Sequence, residues 1–392
     1  MAQTPQAPVF DTAYDANQRA LRPILGSLGA AVVGPALDAG RPLQLAAVSS
    51  QRGYTLAVDG NDGSVALLAS ATGRVTSTVA GAPPRPAMLA LSPSGAAAVL
   101  AYPRDRMLLV LGGLPDQPRV LRSLSLAGTG AKPLESSIQT LAVSDDGAAV
   151  ALFVRQKTAA NPRAAPGGSR ASNEHAQDLA ADSGCAGVFG SFGAASGGPC
   201  AFEDPLGSQP PGTAERVVPP TGGAAPGGSR ASQGFYADSS GAFTPLGNLA
   251  NITAIAFPEG SHDALIADST GIFRAHTGAT ALELTLLAGP GAGTPQIAAL
   301  GISGANKKIY AASVEGDVME LDLTGGMFNT VAKCACKPDV MARMSGQARF
   351  RLNNLPDAPL WVFDGDAATP RLVFIPADPE PETVSRKGDF VR

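Results

Sequence analysis

Histidine and tryptophan are almost missing from this chain, with three and one in 392 residues, which leaves few imidazoles to serve as a general base or a metal ligand. Charged residues make up only 16%, and the formal net charge of −4 comes with no basic stripe. Nucleic acid and anionic membrane surfaces are therefore not expected partners. No stretch reaches the roughly 18 to 20 apolar residues of a spanning helix. The best candidate, 24–37, is interrupted by Gly26, Gly29, Gly34 and Pro35. The hydrolase elbow Gly-x-Ser-x-Gly and the redox signature Cys-x-x-Cys are lacking too. The N-terminus has no signal-peptide pattern, yet Met1-Ala2-Gln3-Thr4-Pro5 reads like the polar start of a mature exported chain. A secreted, periplasmic or cell-surface location is the expectation.

What is present is a repeated phrase. Leu89-Ala90-Leu91-Ser92-Pro93-Ser94-Gly95 and Leu141-Ala142-Val143-Ser144-Asp145-Asp146-Gly147 each give a short apolar strand, a polar turn ending in Gly, and a second apolar strand. Aligned on the turn Ser, the copies fall at Ser49, Ser92, Ser144, Pro258 (in the Ser slot), Ser303 and Ser345, at intervals of 43, 52, 114, 45 and 42 residues. Allowing the 114-residue interval an insertion of about 70 residues brings every copy near the ~40–50-residue period of four-stranded propeller blades. Asp-Gly, Asn-Asp-Gly and Thr-Gly pairs punctuate the intervals as hairpin turns, and helix-period stripes are nearly missing. With 44% apolar residues the chain can fill such a core.

The expected fold is all-β: a single β-propeller of six to seven four-stranded blades, its ring closed by N- and C-terminal strands. Residues 1–42 supply strands completing a blade, 43–377 form the propeller, and 378–392 are a solvated tail. Val9-Phe10-Asp11 and 20–24 resemble the second half of the last unit, so they read as the outer two strands of a blade. That gives six complete blades and a half; a seventh follows if 29–39 and the C-terminal tail supply the missing strands. Closure removes unpaired sheet edges. The third repeat carries a Gly/Ala/Pro/Ser-rich insertion, 157–233, expected to be disordered because it has few large apolar residues. Within it a nine-residue run, 164–172, recurs identically at 224–232, as a nucleotide-level duplication would leave it.

The phrase Leu-Ala-Val/Leu-Ser-x-x-Gly, followed by an apolar strand and an Asp-rich hairpin, resembles the repeats of bacterial WD40-like, or YVTN-type, β-propellers. Residues 89–95 and 141–147 match best, with looser matches at 46–53 and 300–303. The Gly-His and Trp-Asp signatures of eukaryotic WD repeats are missing. The resemblance implies fold, and no functional residue carries over from it.

Four cysteines are candidates for disulfides and allow three pairings: Cys185 with Cys200, closing a small loop in the insertion, is favoured, which leaves Cys334 and Cys336 either bonded to each other across one residue or as two buried thiols. Cys334-Ala335-Cys336 with no nearby His is a poor zinc site. His175, His262 and His276 read as solvated residues, and the acidic pairs Asp145-Asp146 and Asp364-Gly365-Asp366 as turn formers. Gly289-Pro290-Gly291-Ala292-Gly293 reads as a loop, since no helix or Lys follows to make a phosphate cradle, and Asn251-Ile252-Thr253 matches a glycosylation sequon. No catalytic, cofactor-binding or metal-binding residue is singled out, and no cofactor is expected. The leading expectation is a non-enzymatic exported scaffold binding a protein or glycan. A structural, self-assembling subunit of a cell-surface assembly and a lactonase-like hydrolase are the alternatives.

Overall fold

Runs such as Ala97–Tyr102 and Tyr54–Asp59 are buried along their whole length, as expected of strands covered on both faces. Runs such as Arg119–Ser125 alternate instead and mark an outer rim. The computed structural model describes residues 7–129, 136–156 and 233–376, apart from 248, 250, 270, 279–280, 290–294, 306, 325 and 356–358. Within them the strands form seven antiparallel sheets arranged as the blades of a propeller.

Blade 1 holds β1 (Val9–Asp15), β2 (Ala20–Leu25) and β3 (Val32–Val33), and blade 2 holds β4 (Leu43–Ser49), β5 (Tyr54–Asp59), β6 (Val65–Ala69) and β7 (Val75–Thr78). Blade 3 holds β8 (Met88–Leu91), β9 (Ala97–Tyr102), β10 (Met107–Gly112) and β11 (Arg119–Ser125). Blade 4 holds β12 (Ser136–Val143), β13 (Val150–Gln156), β14 (Gln233–Ala237) and β15 (Phe243–Pro245). Blade 5 holds β16 (Ala254–Ala256), β17 (Ala264–Asp268), β18 (Gly271–Thr277) and β19 (Leu282–Ala288). Blade 6 holds β20 (Ile297–Ile302), β21 (Lys308–Ser313), β22 (Asp317–Asp322) and β23 (Asn329–Lys333). Blade 7 holds β24 (Ala342–Arg343), β25 (Arg349–Arg351), β26 (Leu360–Asp364) and β27 (Arg371–Ile375).

The core is distributed into seven clusters, one at each seam between neighbouring blades. Leu56, Leu67, Leu100 and Leu111 join blades 2 and 3, for example, and Tyr310, Phe350 and Phe363 join blades 6 and 7. Blades 1 and 7 close the ring through Ala13, Ile24, Val33, Leu360, Val362 and Ile375. At that seam the Val33 N–H donates to the Pro376 carbonyl at 3.4 Å.

The repeated phrase builds the turn between a blade's first and second strands. Ser92 Oγ accepts from Ala97 N at 3.0 Å and Ser144 Oγ from Ala149 N at 2.8 Å. Gly95 and Gly147 sit at φ +71° and +73°, where an L side chain is strained. Three residues on from the Ser, then, the turn requires Gly.

Blade 1 makes the ring seven-bladed, and of the two segments expected to supply its missing strands 29–39 contributes β3, while the C-terminal tail lies outside the described residues. The strands of blade 1 occupy the outer three positions rather than two. Asp15 Oδ1 caps the β1–β2 turn through Asn17 N and Gln18 N, as Asp59 caps the turn between the second and third strands of blade 2 through Asn61 N. β1 also runs antiparallel to the innermost β4: Asp11 meets Ser50 beyond the end of β4, while Tyr14 Oη donates to Leu43 O at its start. β1 is thus a second strand. The brevity of β3 follows from Pro23, whose carbonyl accepts from Gly34 N but which has no N–H to return. Arg22 Nε supplies the missing donor to Gly34 O at 2.8 Å.

The insertion leaves β13 and returns at β14; 157–232, the tail 377–392, Cys185, Cys200, His175 and 290–293 lie outside the described residues. Among the described residues no helix is long and apolar enough to cross a membrane.

Candidate functional site

The innermost strands are half-exposed because they line an axial cavity of about 430 Å³. Main-chain walls from β4, β8, β12, β16 and β20 are small or aliphatic: Ala46, Ala47, Leu91, Ala142, Ile255 and Gly301 among them. Charge enters at few points. Asp11 and Arg351 reach the cavity from the second strands of blades 1 and 7, while Arg343 and Glu259 stand at one mouth with Ser50 and Gln51.

That mouth is the face of the first-to-second-strand turns, and the turns are laced to one another. Arg52 Nε donates to Ser94 O at 2.8 Å, joining blades 2 and 3. Asp145 Oδ1 accepts from Ser94 N and Oγ at 2.7 and 2.6 Å, and Oδ2 from Gly260 N at 2.7 Å, so one carboxylate ties blades 3, 4 and 5. Gly304 N donates to Gln347 O across blades 6 and 7 at 2.7 Å. Asp11 joins blades 7, 1 and 2, accepting from Ser50 Oγ at 2.7 Å and Ser345 N at 3.0 Å.

Arg343 Nη1 pairs with Glu259 Oε2 at 3.1 Å across the mouth, from blade 7 to blade 5. With the Gln51 amide turned so that its oxygen faces the guanidinium, that oxygen accepts from Arg343 Nε at 2.6 Å. Three blades thereby fix one cation at the opening. Deeper in, Arg351 Nε is buried with no hydrogen-bond partner among the described residues. Burial pulls the Arg351 pKa down against the charges of Asp11 and Asp339. Burial likewise pushes Asp11 above the ordinary carboxylate range, against the hydrogen bonds from Ser50, Thr12 and Ser345 and the Arg351 charge. The arrangement offers cationic donors to a ligand that brings carbonyl or anionic oxygens.

The residues singled out from the sequence take structural roles. His262 Nε2 meets Asp146 Oδ2 at 2.7 Å and His276 Nδ1 meets Asp263 Oδ1 at 2.5 Å, both His side chains exposed. Asp364 holds Arg349 at 2.9 Å, and Asp366 caps Gln347 N and Ala348 N at 2.9 and 2.8 Å. Asn251 is exposed at φ +57°. Cys334 and Cys336 are bonded to each other, with Cα atoms 5.1 Å apart, beside the outer strand β23 and away from the mouth. Among the described residues no three His, Cys, Asp or Glu side chains gather as a metal site requires. Sequence reasoning passed over Asp11, Gln51, Glu259, Arg343 and Arg351. A signal existed for the two arginines: they are charges inside strand positions that other blades fill with apolar residues.

No family model and no curated protein matches the chain. Solved structures align with it at very low identity. Hydrazine synthase of Kuenenia stuttgartiensis is 9% identical over 94% of this chain and 98% of that one, with a TM-score of 0.49. A functionally unknown protein from Desulfotomaculum acetoxidans is 11% identical over 95% and 100%, with a TM-score of 0.48. The β-propeller domain of Cps50 (Swd1) from Myceliophteria thermophila is 8% identical over 84% of each chain, with a TM-score of 0.46. The chain is a seven-bladed propeller, and its resemblance to WD40-like repeats holds at the level of fold.

Proposed function

We propose that the protein is an exported, non-enzymatic scaffold that binds a partner protein or a glycan at the Ser50–Arg343 mouth of the ring. The observation carrying this reading is the clamped cation: Arg343 is held by Glu259 and Gln51 from two other blades, over a cavity that also receives Arg351. A donor array fixed by a closed ring loses little entropy on engaging a ligand, which favours binding by preorganisation. Export is supported by the bonded Cys334 and Cys336, since disulfides persist in oxidising compartments.

The test is a screen of glycan and peptide arrays with the wild-type protein and with R343A. Ligands retained by wild type and lost by R343A, at equal thermal stability, support the reading. Arrays blank for both, together with turnover in a lactone hydrolysis screen, would replace it with the hydrolase alternative. Alkylation of freshly purified native protein that labels all four cysteines would refute export.

A further inference from the structure

We propose that the axial cavity binds a small monocarboxylate carried on an apolar body, with the Arg351 guanidinium holding the head. The site lies deeper than the Ser50–Arg343 mouth and stands whether or not a macromolecule engages that mouth.

Arg351 occupies a core slot of its blade. It opposes Ala342 in blade 7 as Val99 opposes Ala90 in blade 3, Ala151 opposes Ala142 in blade 4 and Tyr310 opposes Gly301 in blade 6. Those three side chains are buried and apolar or aromatic, packed into the seams. In blade 7 the same slot carries a guanidinium, and it lines the cavity. A buried cation is costly unless hydrogen-bonded and paired.

The chain's own groups meet that need only in part. Arg351 Nε is buried with no hydrogen-bond partner among the described residues, and Asp11 and Asp339 act on the guanidinium through charge. Asp11 gives its oxygens to other donors: Oδ1 accepts from Thr12 N and Ser50 Oγ, both at 2.7 Å, and Oδ2 from Ser345 N at 3.0 Å. Burial also holds Asp11 above the ordinary carboxylate range, which weakens it as a counter-ion. The second cation of the cavity, Arg343, is already paired with Glu259. A carboxylate presents the two oxygens that match a guanidinium fork. With one uncommitted cation and Asp11 close by, a monoanion suits the site better than a dianion.

The remaining walls select the body of the ligand. Leu91, Val143, Ile255, Ile302 and Met341 line the cavity from blades 3 to 7. Its volume of about 430 Å³ falls within the roughly 300–1,000 Å³ of small-molecule sites. The Arg343–Glu259 pair bridges the opening from blade 7 to blade 5, which favours a free small acid over a polymer as the occupant.

The experiment titrates the full chain calorimetrically with octanoate and with octylammonium, in wild type, R351M and R351K. Wild type is expected to bind octanoate, and octylammonium more weakly by about tenfold or more. R351M should weaken octanoate by about tenfold or more, with R351K restoring part of the loss. R351M places an apolar side chain in a slot that other blades fill that way, so it is expected to fold. In wild type, a nuclear Overhauser contact between octanoate and the Met341 methyl is expected, and it needs no variant. Folded wild type that takes up no octanoate, octylammonium bound as tightly as octanoate, contacts only outside the cavity, or equal octanoate affinity in wild type and R351M each overturns the proposal. The glycan and peptide arrays report on the mouth, so blank arrays with octanoate bound leave this site standing. Array ligands without octanoate binding overturn this site alone.

Discussion

Asp145 and Ser94 belong to different blades, yet Ser94 gives both its main-chain N–H and its hydroxyl to the same carboxylate oxygen, at 2.7 and 2.6 Å. The other oxygen of Asp145 takes the Gly260 N–H of a third blade. One short side chain therefore spans two seams of the ring.

Removing it should loosen both. D145A is expected to lower unfolding stability by about 2 kcal/mol, since three donors lose a charged acceptor. S94A removes one of the three and should cost about 1 kcal/mol. Urea melts of the two variants and the double variant check this, with the double expected to cost no more than D145A alone.

Asp11 and Asp146 should respond to pH with opposite signs. Burial holds the Asp11 carboxyl above its ordinary 3.8, so its contribution is complete below pH 3.8 and is lost as pH rises through the higher folded value. For Asp146 burial would raise the pKa, but hydrogen bonds from Ala148, His262 and Ser144 prevail and lower it. Its contribution is present above pH 3.8 and is lost as pH falls through the lower folded value. Relative to D11N, wild type should gain stability on acidification from about pH 7 to about pH 3.5. Relative to D146N it should lose stability as the pH falls below about 3.8. Melts of all three proteins across this range decide both signs.

Arg351 should set part of the Asp11 titration. Its charge lowers the Asp11 pKa through the cavity, so R351M is expected to move the Asp11 midpoint further up. Carboxyl-carbon NMR of Asp11 in wild type and R351M measures it, and an unchanged midpoint would refute the coupling.

Much of the ring was legible in the sequence because scaffold residues recur with the period of the blade. The Ser-x-x-Gly slots, the apolar-rich second strands and the Asp-capped turns repeat, and repetition exposes them. That 9–25 belongs to a blade was legible for the same reason, but its place was read one strand too far out, because the outermost strand β3 is only two residues long. The mouth was not. Gln51, Glu259 and Arg343 come from blades far apart in the chain, and only closure of the ring brings them together. Asp145 and Asp146 read correctly as turn residues, but nothing local announces that Asp145 serves the turns of its neighbours.

Gly301 has no side chain because Phe350 lies against it. A Cβ there would stand 2.7 Å from the ring edge of Phe350, which also packs with Tyr310 at 5.7 Å between ring centres. G301A should therefore destabilise by about 1–3 kcal/mol through overpacking. F350L should relieve part of that cost, giving a double-variant penalty smaller than the sum in thermal melts.

The insertion leaves blade 4 from β13 and re-enters at β14, where Val154 is paired directly with Gln233. For the ring, everything between those strands does the work of a hairpin turn. Lengthening a loop whose ends are already pinned adds entropy only logarithmically, about 0.6 kcal/mol per doubling. By that scaling the length of chain between Val154 and Gln233 bears little on the pairing of β13 with β14. Such a site lets a lineage enlarge, exchange or discard a whole segment while the seven-fold frame around it stays unaltered.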